Sequence, residues 1–188
     1  MGSKVTQAPT TSPENITSEE AGSYIEADDE GIELIFGLVG PTGVDLGKVY
    51  DSLKTQLKTV KYETVQIRLS ELITPYLNGT TGEFSTEYDR ISKLMENGTR
   101  LRERTGQKDI VGRLGVAQIR AKREERTSDK LKPRVRTAYV VSSFKRPEEV
   151  DLFRQIYGKA FTLVSVYSPR QKRISNLARN LRSRALPG

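Results

Sequence analysis

Cysteine, histidine and tryptophan are missing from all 188 residues. Without cysteine there are no disulfides, no thiolate nucleophile and no zinc site of the usual kind. Without histidine there is no Ser-His-Asp triad and no imidazole acid/base chemistry. Any catalysis must use Asp, Glu, Lys, Arg, Tyr, Ser, Thr or backbone amides. Long apolar runs are missing too. None approaches the roughly 18 residues that span a bilayer, and no apolar stretch follows a basic start as in a secretory signal. The expectation is a cytoplasmic chain with no membrane partner. Hydrophobic residues make up only 35% of the sequence, so the ordered part should be smaller than the chain or unusually polar on its surface.

Charge is plentiful and unevenly placed. The first thirty residues carry seven carboxylates against Lys4, a net of −6, so the chain total of +7 leaves +13 for the rest. That excess predicts attraction to phosphate ligands or nucleic acid. The plainer reading is a solvated basic surface. The acidic stretch is rich in Thr, Ser, Glu and Pro and is read as a disordered arm over residues 1–31, preceding one domain over 32–185.

The domain opens with Glu33-Leu34-Ile35-Phe36-Gly37-Leu38-Val39-Gly40, a near-continuous apolar run that fits a buried strand of a parallel sheet. Leu46, Val49, Tyr50, Leu53 and Leu57 then recur at helical spacing. A second strand is expected at Tyr62–Leu69. Two highly charged helices follow, at Phe84–Arg104 with an interruption at Asn97-Gly98, and at Asp109–Arg126. A third strand is expected around Ala138–Val141. Pro147 starts a helix through Tyr157, Phe161–Tyr167 forms a fourth strand, and Ser168-Pro169 opens a basic final helix. Strands alternating with helices predict an α/β three-layer sandwich with a mostly parallel sheet, the two charged helices forming an insertion or lid. Ligands of such sheets bind beyond the carboxyl ends of the strands. That directs attention to Gly40–Gly47, Ser142–Arg146 and Ser168–Arg173.

Gly40-Pro41-Thr42-Gly43-Val44-Asp45 has the location of a phosphate loop, after the first strand and before a helix. In G-x-x-x-x-G-K-[ST] the glycines turn backbone amides toward phosphates, the lysine reaches the β and γ phosphates, and the hydroxyl holds Mg²⁺. Counted from Gly40, the glycine, lysine and hydroxyl positions hold Asp45, Leu46 and Gly47. Lys48 arrives two positions late. A carboxylate facing a phosphate at about 4 Å costs on the order of 4 kcal/mol at an effective dielectric near 20. The alternative role for Asp45 is a helix N-cap. The third strand leads into Ser142-Ser143-Phe144-Lys145, with no carboxylate to organise Mg²⁺. Both deficits argue against phosphoryl transfer, while nucleotide binding, with or without Mg²⁺, stays open. No metal ligands and no catalytic residues are assigned.

Arg170 and Arg173, three apart on the final helix, can share a face and clamp a phosphate. Residues 100–136 hold thirteen Lys or Arg against five Asp or Glu. They read either as a salt-bridged solvated face or as an electrostatic nucleic-acid surface. Few aromatics interleave, which argues against stacking on single strands.

Phe36-Gly37-Leu38-Val39-Gly40-Pro41-Thr42-Gly43-Val44-Asp45-Leu46 resembles the start of the bacterial antiphage deoxycytidylate deaminases. So do Ser143-Phe144-Lys145-Arg146-Pro147-Glu148-Glu149-Val150 and Arg154-Gln155-Ile156-Tyr157-Gly158. The resemblance covers roughly residues 32–183, and the Ser-Phe-Lys-Arg-Pro-Glu-Glu-Val segment is its more specific part. It implies a P-loop NTPase-like, kinase-like domain that in the family precedes a zinc deaminase acting on dCTP or dCMP. The deaminase signature needs His and Cys, so that activity attaches to no residue of this chain. What the resemblance implies for Gly40–Asp45 is nucleotide sensing or regulation, with a deaminase domain or a second copy as partner. Two other readings stand beside it. One is an active nucleotide or nucleoside kinase using Lys48 with Arg170 or Arg173; the other is a nucleic-acid- or partner-binding module.

Overall fold

A computed structural model describes residues 31–73, 75 and 86–185. The expected acidic arm lies outside the described residues except for Gly31, which is buried and belongs to the folded body. The Asn78–Gly82 loop and Phe84 also lie outside them.

The elements run β1 (Leu34–Val39), α1 (Leu46–Thr59), β2 (Glu63–Arg68), α2 (Glu87–Thr105), α3 (Ile110–Thr127), β3 (Thr137–Ser142), α4 (Pro147–Tyr157), β4 (Phe161–Ser165) and α5 (Arg170–Ala185). The four strands form one sheet in the order β2-β3-β1-β4. Every pairing is parallel, so the sheet is parallel throughout rather than mostly. The register sets Gly37 between Val141 on β3 and Leu163 on β4. All six residues of β3 are buried, whereas the edge strands β2 and β4 mix buried and exposed positions. That is the pattern of a parallel sheet covered on both faces, with its continuous apolar runs in the centre.

Alternation along the strands divides the core. Ile35, Ile67, Tyr139 and Val141 form one cluster with Val116 and Ile119 of α3 and Val150 and Phe153 of α4. Leu38, Ala138 and Val140 are buried on the other parity, and α1, which packs on β2 and β3, buries Leu57. Right-handed crossovers require this division, because β1 to β2 runs one way across the sheet and β2 to β3 to β4 runs back. The outcome is helices on both faces, the three-layer arrangement expected of alternating elements.

Three expectations change. Of the two charged helices expected as an insertion or lid, α3 is part of the layer itself, with Val111, Gly112, Gly115, Val116 and Ile119 buried. A Cβ on Gly115 would sit 2.5 Å from Leu69 and 3.2 Å from Phe153. The two glycines create the flat contact, and they add nothing to a count of apolar residues. Nor does Asn97-Gly98 interrupt α2, which runs unbroken from its Thr86 N-cap to the left-handed Gly106. Gly98 is buried within it, and a Cβ there would lie 3.5 Å from Ile73. The fourth strand also ends earlier than expected, at Ser165, leaving Tyr167 83% exposed.

Candidate functional site

In a parallel sheet all carboxyl ends lie on one edge, so the segments after β1, β3 and β4 share it. The chain leaves β1 toward β2 and leaves the neighbouring β3 toward β4. Their carboxyl ends therefore flank the switch point, the usual ligand crevice of such sheets. Gly40–Asp45 follows β1, and Ser143–Arg146 follows β3. Ser143 is half-buried with φ +74°, a left-handed backbone that a non-glycine residue seldom adopts.

The glycine loop is a tight turn. Val44 N–H donates to Pro41 O at 3.1 Å, and Gly43 has φ +88°, the sign a type II turn requires at its third position. Gly40 is needed for a different reason. The continuation of β4 passes beside it, with Val166 N–H donating to Val39 O at 2.8 Å, and a Cβ on Gly40 would meet Val166 O at 2.9 Å. Asp45 is the N-cap of α1, accepting from the Lys48 N–H at 3.1 Å. Its carboxylate thus takes the position at a helix N-terminus where a phosphate would find free amides and a favourable dipole. The Lys48 ammonium lies 4.0 Å from that carboxylate with its side chain 78% exposed.

The loop lies against the start of α5. Arg173 Nη1 donates to Thr42 O at 3.2 Å, Arg173 Nε donates to Ser168 O at 3.2 Å, and Asn176 Nδ2 donates to Gly43 O at 3.0 Å. A Cβ on Gly43 would sit 2.7 Å from Arg173 O. The structure brings the loop and Arg173 together, but two of the guanidinium's donor groups face carbonyls. Arg170 opens α5 and is exposed, with no carboxylate at salt-bridge distance among the described residues.

Glu149 had not been marked by sequence reasoning. Its side chain is fully buried. It accepts from Lys145 N–H at 2.8 Å, from Arg146 N–H at 3.3 Å and from Arg102 Nη2 at 2.5 Å. A carboxylate does return to the end of β3, but it fixes the Ser143–Arg146 backbone and pairs with an arginine of α2. It stands at the third residue of α4 and accepts from the N-cap amide, half of a capping box whose usual Ser or Thr is replaced by Arg146. Its pairing across 47 residues was not readable in the sequence.

The amino end of the sheet carries a second polar cluster. Arg123 grips Glu33 through Nε at 3.0 Å and through Nη2, and the Arg134 N–H donates to Glu33 at 2.9 Å. Arg134 and Arg126 both pair with Glu63, at 3.0 and 2.5 Å. Burial opposes the Arg123 charge, and Glu33 more than offsets it, so its pKa is raised. The Arg123 guanidinium stacks 5.8 Å above the Tyr157 ring. Burial pushes the Tyr157 hydroxyl up to about 12, with Arg123 pulling against it, and burial raises Tyr139 as well. This cluster ties the starts of three strands to α3 and absorbs arginines that sequence reasoning offered to nucleic acid. An open depression of about 440 Å³ lies away from the strand ends, between α3 and α4. Among the described residues no helix is long and apolar enough to cross a membrane.

Compared with known proteins, the chain matches no family profile and no curated protein.

Proposed function

We propose that residues 32–185 are a P-loop kinase-like domain that binds a nucleotide or another phosphate ligand and acts in regulation, without transferring a phosphoryl group. The observation that carries this reading is the strand order. An all-parallel β2-β3-β1-β4 sheet sets a glycine turn after β1 beside the strained Ser143 after β3, at the switch point. The resemblance to antiphage deoxycytidylate deaminases supplies the biological setting: a bacterial antiviral domain whose nucleotide occupancy controls a deaminase held on another domain or chain. Phosphoryl transfer is excluded from the proposal on three counts. Asp45 occupies the helix N-terminus, Lys48 points to solvent beside it, and Glu149, the buried carboxylate that holds the segment after β3, is consumed by Arg102.

A thermal-shift panel of the chain with ATP, GTP, dCTP, dCMP and dTTP, each with and without Mg²⁺, tests it. A ligand at about 100 times its Kd adds about 2.7 kcal/mol. For a domain of this size that is a rise of roughly 5–10 °C. A selective rise supports the reading, and a flat panel ends it. ATP turnover that disappears in Lys48→Ala would instead establish the kinase.

A further inference from the structure

We infer that Arg173 is the residue that responds to a phosphoryl group at the glycine loop, and that it passes occupancy of the loop to α5. This inference rests on the phosphate-binding reading above and deepens it by naming how the site is coupled to the rest of the chain.

Arg173 is half-buried and has no carboxylate at salt-bridge distance among the described residues. Its charge is met instead by two neutral carbonyls, Thr42 O in the loop and Ser168 O ahead of α5, each at 3.2 Å. A guanidinium has five N–H donors in a planar fork, so these two bonds leave donors over. A phosphate offers this fork bidentate geometry and the attraction of a full opposite charge, neither of which a neutral carbonyl supplies. A phosphoryl group beside Gly40–Asp45 outcompetes the Thr42 carbonyl for this fork. Arg173 is built to exchange partners, which Arg102 and Arg123, locked onto buried carboxylates, are not.

The same contacts join loop and helix mechanically. Two consecutive loop carbonyls are held by residues three apart on one helix face, Arg173 and Asn176. Between them the Gly43 backbone touches the Arg173 backbone, with space for a hydrogen and none for a methyl group. Moving Arg173 from carbonyl to phosphate removes one of the two tethers and lets the first turns of α5 shift against the loop. Helix α5 also packs on α2, the helix whose Arg102 holds the segment after β3. Loop occupancy thereby reaches both α5 and the β3 end.

Hydrogen exchange on the full chain tests this in two arms, with Arg173→Ala, Arg173→Lys and Asn176→Ala. In the ligand-free arm, Arg173→Ala and Asn176→Ala should each speed exchange at Gly43–Lys48 and in the first turns of α5 by tenfold or more. The amides of α3 and α4 serve as unaffected controls. Unchanged loop exchange in both variants overturns the latch whatever the ligand result. In the second arm, inorganic phosphate and dCMP are added. The wild-type chain should gain protection in the loop and change exchange in α5. Arg173→Ala should bind at least tenfold more weakly, and Arg173→Lys should bind without the α5 response. Asn176→Ala should retain binding. Ligand binding that leaves α5 unchanged, or that is equal in Arg173→Ala, overturns the role of Arg173 and leaves the phosphate-binding reading standing. Failure of both probes to bind the wild-type chain overturns the sensing role, while the ligand-free arm separately decides whether the tether exists.

Discussion

Glu149 is the side chain on which the β3 end depends most. It is buried and accepts from one guanidinium and two backbone amides. Replacing one member of a buried ion pair leaves the other charge uncompensated, at a cost of about 3–5 kcal/mol. Glu149→Gln should therefore lower Tm by roughly 10 °C, a loss that calorimetry reads directly. Tyr157 makes the opposite case. Its hydroxyl is buried and makes no hydrogen bond among the described residues, so Tyr157→Phe should cost little at neutral pH. The difference appears in alkali. The folded-state pKa is about 12 against an ordinary 10.0. Between those values the unfolded chain releases a proton that the folded chain retains, so stability falls as pH rises. Urea unfolding at pH 9 to 12 should show a shallower alkaline loss in Tyr157→Phe than in the wild-type chain. Equal slopes would refute the assignment.

Among the elements, α2 and α3 both carry interior glycines, and the two helices should respond oppositely to alanine. Gly to Ala inside a helix gains about 0.8–1 kcal/mol in propensity. At Gly98 the nearest atom to a new Cβ is the end of the Arg102 side chain at 3.1 Å, through Nη1 rather than the Nη2 that binds Glu149. That atom can yield, so Gly98→Ala should stabilise by up to about 1 kcal/mol. At Gly115 the new methyl would lie 2.5 Å from Leu69 and 3.2 Å from Phe153, both fully buried in the core. Overpacking there costs about 1–3 kcal/mol, which exceeds the propensity gain. Gly115→Ala should therefore destabilise, and paired denaturant titrations of the two variants would reveal any agreement in sign. The same glycines explain why α3 resembled a lid in the sequence. Its inward face is built from Gly112 and Gly115 as much as from Val111, Val116 and Ile119, and periodicity counts only the apolar half.

Over the whole molecule, ion pairs leave the +13 of the body unchanged but fix where many of its cations sit. Of the thirteen basic residues between 100 and 136, eight have a carboxylate at salt-bridge distance among the described residues. Exposed pairs such as Arg113 with Asp109 exchange partners at little cost. Arg102, Arg123 and Arg134 are held inside and do not. Each phosphate contact contributes about −0.9 to the log–log salt slope of duplex binding. If the exposed pairs keep their carboxylates, a short DNA duplex held by this stretch should show a slope no steeper than about −4 between about 50 and 200 mM salt. A steeper slope would restore the nucleic-acid reading.

Local chemistry by itself determined the alternation of strands and helices, because continuous apolar runs, helical periodicity, Pro147 and the Asp45 cap each act within a few residues. It also determined that the glycine segment follows the first strand and lacks the lysine of a working phosphate loop. Contacts between distant residues required the folded chain. The strand order decided that the segments after β1 and β3 flank the switch point of the sheet. Packing decided that α3 is a core layer, and the α5 contacts decided that Arg173 rests on loop carbonyls. Glu149 meets Arg102, and Arg123 meets Glu33, across separations of 47 and 90 residues. No local pattern carries that information, since a pairing of buried charges is set by which backbones the sheet brings together and by the cost of leaving either charge alone.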